Sequence, residues 1–469
     1  MIKEAAKLDK LYKAHAEKTL TIDCPNIQIW QRGVDAPISV AGSGVISQSE
    51  NGSLKLKMFV AETTPGEIQK IEGSKKNDLK AGQIIPDHAY FSMAAHAVNG
   101  EVWSCESFMP SIQYSLDMRN LVISGGLGQV ESKHHLGCEV KGASTSMLFP
   151  FLLEYPCNGI TKIETIVAGR MSGSSTSVNV ATFKCEDIEY IVRRDDEWTV
   201  LTINKNSGVF QGNHEVRICE ALSFAFDLEF NPAVITSFCP GESRKVLRSY
   251  DDTTSQKSSH PPLSGNQPKL DGEVWLIFEK YLKHVASYTK PYWHPLTGHV
   301  MSVLRASRAS LDAQALSLAV AVEGLLKLKF KGLGKPTSEI LGQIERLQHL
   351  IEESDLDAGF KKRLEGTINS LKSPRPKDIL HELAVTGEIR ESLAKTWGIL
   401  RNAHAHADSQ DPEKIAELLK ECQIVRTLLN ELVFIVIGYE GSYTDYSTED
   451  WPIRRNSRPG LLALPIETR

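Results

Sequence analysis

The apolar pattern of this chain changes period once, between residues 250 and 271, and that change restricts it to two different kinds of packing. Upstream, apolar and polar residues alternate in twos, as in Ser53–Val60, Thr161–Val167 and Ile188–Val192, the spacing of strands with one covered face. Asn51-Gly52, Asn99-Gly100 and Ser207-Gly208 supply turns between such runs. From Asp271 the repeat becomes 3.6 and predicts helices over 271–287, 300–330, 337–353, 358–372, 376–385, 388–405 and 412–438. Between the two regimes, Asp251–Pro268 is polar and Pro-bearing and reads as a linker.

A chain of 469 residues exceeds one ordinary core. The expected architecture is therefore multidomain, α and β. A helical segment over 1–19 precedes an all-β sandwich or barrel-like domain over 20–250. A linker over 251–270, an all-α bundle over 271–440 and an irregular tail over 441–469 follow. Apolar residues at 41% and charged residues at 24% describe a globular chain. The formal net charge of −5 excludes a protein that coats nucleic acid by bulk positive charge. From Asp271 on, 26 Lys and Arg stand against 27 Asp and Glu, so any basic field there is local.

Few segments carry chemistry. The eight cysteines include no Cys-x-x-Cys, and His134-His135-x-x-Cys138 lacks a second ligand pair, so strand and turn roles are the simpler reading. Gly332-Leu333-Gly334-Lys335-Pro336 lacks the spacing of a phosphate loop, and Gly125-Gly126-Leu127-Gly128 suits a turn or bulge. Trp293, His294 and His299 have no carboxylate cluster beside them to complete a metal site. No cofactor is expected. Met1–Lys18 is charged throughout and reads as a short amphipathic helix rather than an export signal. Leu432 to Gly438 falls far short of the ~20 residues that span a bilayer. The expected setting is a reducing cytoplasm.

The exception is Arg401-Asn402-Ala403-His404-Ala405-His406. It joins a permanent cation, an amide and imidazoles, a set that grips phosphate and moves protons near neutral pH. Leu393, Trp397, Leu400 and His404 recur at four, three and four, which puts His404 on the apolar side as a core or rim histidine. Arg401 and His406 are five apart, about 140° around a helix of ~100° per residue. Either the helix is interrupted near Ala405, or two copies of the chain share one cleft. Glu323 lies in an apolar run and needs a partner. That partner is Arg401, or Lys327 four residues on. Lys327, Lys329, Lys331, Lys361, Lys362 and Arg363 form either solvated faces or a rim that steers RNA. Asp411-Pro412-Glu413 reads as a helix start.

Arg401-Asn402 followed by His406, with the Glu323-bearing segment Leu316–Lys327, resembles the HEPN superfamily, in particular its larger Apea-like domains, over roughly residues 271–440. Many members are metal-independent ribonucleases of toxin, abortive-infection and CRISPR-associated systems. The resemblance implies an all-α HEPN-like bundle whose cleft forms between two copies, hence a homodimer. It implies that Arg401 contacts the scissile phosphate, His406 acts as general acid or base, and Asn402 orients the motif, with Glu323 and His404 in support. One subgroup places a Tyr two residues after the His; here Asp408 stands there, which speaks against tyrosine-directed modification. RNA brings its own 2′-hydroxyl nucleophile, so the expected products carry a 2′,3′-cyclic phosphate and a 5′-hydroxyl. The β domain would sense a phage-derived trigger or restrain the nuclease. Two alternatives stay open: a noncatalytic helical module for assembly or ligand binding, and a β domain that holds the main, partner-binding role.

Overall fold

The structure, a computed structural model, describes residues 10–61, 82–114, 120–136, 141–167, 170–195, 197–251, 260–264, 271–405 and 414–456. The chain divides into two compact units. One runs to Gln211 and resumes over Asn231–Gln256; the other holds Gly212–Phe230 and everything from Lys257. The expected boundary at residue 250 is thus close, but one excursion was missed.

The first unit is one 15-stranded sheet, antiparallel at every described pairing, with a short helix α1 (Lys10–Ala16). β1 (Thr21–Gln31), β2 (Ser39–Gln48) and β3 (Leu54–Ala61) form a meander, and β4 (Phe91–His96) and β5 (Val102–Phe108) extend it on the other side of β1. β6 (Ser111–Tyr114) pairs with β7 (Asn120–Leu127), and β7 pairs with β3. Only Gly128 separates β7 from β8 (Gln129–His135), and β8 pairs with β5 through Trp103↔Ser132 and Ser104↔Glu131. The pairing path β1-β2-β3-β7/β8-β5-β4 therefore returns to β1, which removes free edges as a barrel does.

Alternation drives this closure: Ile22, Cys24, Ile27 and Ile29 of β1 point to the same core as Leu54, Leu56 and Met58 of β3 and Phe91 and Met93 of β4. From β8 the sheet continues outward through β15 (Glu242–Arg248), β14 (Val234–Cys239), β9 (Ala143–Phe149), β13 (Trp198–Lys205), β12 (Ile188–Asp195), β11 (Arg170–Cys185) and β10 (Gly159–Val167). α1 closes on this unit through buried Tyr12 and His15, and His15 Nε2 lies 3.1 Å from the Arg248 carbonyl. His134 and His135 end β8, while Cys138 lies outside the described residues.

The second unit is helical. α2 (His214–Phe226) belongs here although it falls between strands in sequence, which corrects the expectation of an all-β stretch over 20–250. Its Ile218, Ala221, Leu222 and Ala225 recur at helical spacing and are buried. Phe224 stacks on Tyr281 with ring centroids 4.8 Å apart, and Phe226 meets Trp275 edge-on at 5.5 Å. Both partners lie on α3 (Asp271–Val285).

The expected helix over 300–330 is two helices, α4 (Pro295–Ser307) and α5 (Leu311–Lys329). The break has a cause: Ser310 caps α5 by accepting from the Ala313 amide at 3.1 Å, and the apolar face changes direction across it. α6 (Ser338–Glu353), α7 (Ala358–Ser370), α8 (Pro376–Val385), α9 (Glu391–Ala405) and α10 (Ile415–Ile437) match the remaining predicted helices within a few residues. Among the described residues no helix is long and apolar enough to cross a membrane.

Two segments expected to be irregular are built into this unit. His260 and Ser264, from the expected linker, donate backbone N–H groups to Asp227 Oδ2 at 3.0 Å and Thr444 Oγ1 at 2.7 Å. The tail begins with a small hairpin, β16 (Ser442–Thr444) and β17 (Ile453–Arg455). Buried Asp445 anchors it by accepting from Arg390 at 2.8 Å and Thr448 at 2.9 Å. Burial alone would raise the Asp445 carboxyl, but its hydrogen bonds from Arg390, Ser447 and Thr448 outweigh that and hold it well below the usual carboxylate range.

Candidate functional site

α9 places the motif. Leu393, Trp397 and Leu400 are buried, as their spacing predicts, and the Trp397 indole donates to the Ala319 carbonyl of α5 at 3.2 Å. One turn further along both helices, Arg401 Nε donates to Glu323 Oε2 at 3.0 Å. Both contacts join residues 78 apart, so α9 and α5 run in the same direction and in register at this point.

Glu323 is also held by its own helix, because Lys327 donates to Oε1 at 2.6 Å. The two partners weighed for Glu323 are thus both present. The Lys327 hydrogen bond first, then that of Arg401, hold the Glu323 carboxyl below its ordinary value against the opposing effect of burial. Its Nε edge engaged, the Arg401 guanidinium remains 42% exposed and sits 6.0 Å from the Trp397 ring centre. A guanidinium fixed in this way has lost part of the rotamer freedom that a phosphate would otherwise have to freeze.

Around this pair α5 exposes a stripe at four, three and four: Leu316, Val320, Glu323 and Lys327. On the far side of the stripe lies an imidazole that had been set aside as a metal ligand. A Cβ built on Gly324 would stand 2.2 Å from His299 Cε1, so the ring edge occupies the space that any other residue would fill. A glycine inside a helix costs ~1 kcal/mol relative to Ala, and this close approach is the reason for one directly after Glu323. Burial lowers the His299 pKa, which favours the neutral ring at neutral pH. Glu323 and Gly324 are consecutive, so Arg401 and His299 approach α5 from two sides of one turn.

The other site residues are not all brought together. Asn402 is exposed and lies about 100° around α9 from Arg401; the contact that orients Arg401 comes from Glu323 instead. His404 occupies the last turn of α9, where only the backbone is described, and His406 lies outside the described residues together with Asp408 and Asp411.

Of the proposed basic rim, Lys327 is spent on Glu323 and Lys331 is exposed beyond α5. Lys329 does not face outward. Burial lowers its pKa, and it acts on His284 and His294 instead. Lys361, Lys362 and Arg363 sit on α7, whose packing partner is α6. No family model, curated protein or solved structure matches this chain.

Proposed function

We propose that the helical unit is a metal-independent endoribonuclease of the HEPN type, acting in antiphage defence or as a toxin and cutting RNA as a homodimer. The observation that supports this best is the Arg401 guanidinium, half exposed at the end of α9 and held by Glu323. In this reading Arg401 grips the non-bridging oxygens of the scissile phosphate and stabilises the charge that develops there. His406 takes the proton from the 2′-hydroxyl or returns one to the departing 5′-oxygen, a contribution of typically ~10²–10⁴ in rate. The 2′-oxygen forms a bond to phosphorus as the bond to the 5′-oxygen breaks, leaving a cyclic phosphate and a 5′-hydroxyl. The β unit senses a trigger or holds the nuclease in check.

The deciding experiment incubates the purified chain with total RNA in EDTA and maps the chemistry of the new ends. Cleavage that requires a divalent metal, or ends bearing 5′-phosphates, would contradict the proposal. A second reading draws on the same contacts: Glu323 between Lys327 and Arg401 is also a self-satisfied ion-pair cluster that fastens α9 to α5. A noncatalytic module of that kind would degrade no RNA, and its Arg401 variants would change melting or assembly alone.

A further inference from the structure

The hairpin of α6 and α7 carries an apolar face that the rest of the chain leaves uncovered. On α6, Ile340, Leu341, Ile344, Leu347, Leu350 and Ile351 spread over about 180° at ~100° per residue. A single antiparallel neighbour covers a narrower seam than that. α7 buries Ile344 of this set, while Leu347 stays 46% exposed and Leu350 64% exposed. On α7 only Ile368 is buried, and Phe360 at the start of the helix is half exposed. The other long helices of this unit contrast with these two: α5 and α10 bury a residue at nearly every inward position. The hairpin is nevertheless well built. Asp357 caps α7 through the Gly359 and Phe360 amides, Lys361 donates to the Glu352 carbonyl at 2.9 Å, and Gln348 donates to Asn369 at 3.0 Å. A capped, hydrogen-bonded element with a wide exposed apolar stripe is built to be covered.

Charge identifies the occupant. α6 carries Glu339, Glu345, Glu352 and Glu353 against Arg346 alone. α7 carries Lys361, Lys362 and Arg363 against Glu365 alone. In a two-fold arrangement of two hairpins, each α6 can lie beside its own α7 and the other copy's α7. Every neighbouring pair is then acidic against basic, and each contact occurs twice, as an isologous interface requires. The alternative, α6 against α6, sets four carboxylates against four. We propose that two copies of this chain associate through their α6–α7 hairpins to form a four-helix bundle, with the basic residues of α7 engaged by the second copy rather than by RNA. This contact is separate from α5 and α9 and stands whether or not Arg401 belongs to a nuclease.

The test is sedimentation velocity of the full chain over a hundredfold concentration range, beside a Leu347→Glu/Leu350→Glu variant and Arg401→Ala. Both leucines are exposed, so the double variant keeps its helical circular dichroism, while burying two carboxylates at the seam weakens self-association by ~10²-fold or more. Arg401→Ala sediments as the wild type. A second pair checks the charge pattern: Arg363→Glu and Glu345→Arg each associate more weakly alone than when mixed. A wild type that stays monomeric throughout overturns the proposal, as does a double variant that sediments like the wild type. So does added RNA that shields Lys361 and Lys362 of a monomer from acetylation, which would give this face to nucleic acid.

Discussion

Arg401 and Glu323 form an ion pair whose worth to folding and whose worth to activity differ, and the difference is measurable. A half-exposed pair contributes ~0–1 kcal/mol to stability, so Glu323→Ala lowers the melting temperature by a few degrees at most. If Glu323 aims the guanidinium at a phosphate, loss of that aim costs ~10²-fold in kcat. His406→Ala and Arg401→Ala abolish RNA cleavage and any growth toxicity, whereas His404→Ala retains most of both; equal loss at His404 would mean that the wrong imidazole was chosen. Gly324→Ala tests the neighbour. It forces the His299 ring outward into water, so its pKa rises toward the ordinary ~6.5, readable by NMR titration. Helix propensity regains ~1 kcal/mol at the same time, and the melting temperature moves little. Trp397 and Arg401, and the Glu323 partnership, were legible because spacings of four mark one helix face. His299 was not, since contacts between helices depend on register that spacing within one helix does not carry. The glycine after Glu323 was its single trace in the sequence.

Among the elements, α1 and the β16–β17 hairpin are short, and each hangs on one buried polar group. His15 is buried, and desolvation, against hydrogen bonds that include the Arg248 carbonyl, lowers its pKa to about 4. The unfolded chain binds a proton below ~6.5 that the folded chain refuses until about 4. Its contribution is therefore complete above pH ~6.5 and is lost as pH falls toward 4, by a few kcal/mol in all. Hydrogen exchange over residues 10–16 should accelerate as pH is lowered through that window, after correction for intrinsic rates; a flat profile would show that His15 titrates normally.

Asp445 plays the matching part for β16–β17. Asp445→Ala leaves Arg390 and Arg454 short of their carboxylate and costs about 3–5 kcal/mol, seen in chemical denaturation and in lost amide protection over 442–455. The helix periods predicted α6 to α10 well. They failed at Ser310, where two periodic stretches abut without a loop, and at the tail, whose order comes from Asp445 and three buried tyrosines, Tyr439, Tyr443 and Tyr446, that follow no repeat.

Across the whole molecule the chain changes unit three times, after Gln211, Phe230 and Gln256. That is why a boundary drawn by composition near 250 looks natural and misplaces α2. Thirteen residues of helix between two strands do not alter the average period of a 230-residue stretch, although Ile218, Ala221, Leu222 and Ala225 spell it locally. The consequence is physical. A fragment ending at residue 250 carries α2 without the helices it packs on, exposing Phe224 and Phe226. A fragment starting at 257 lacks α2 and uncovers Trp275 and Tyr281. It also strips Arg426, which is 4% exposed, of its partner Asp227, and an unpaired buried cation costs several kcal/mol.

Both fragments should therefore aggregate or bind a hydrophobic dye, while the full chain does not. A helical fragment in which 212–230 is joined to the front of 257–456 should recover cooperative unfolding, and Arg426→Ala within it should undo much of that recovery. Cooperative melting of the plain 257–456 fragment would show that α2 is dispensable. Separating a sensing half from a cutting half thus calls for a design that moves α2 with the helices, because a single cut near 250 removes part of the helical core along with the sheet.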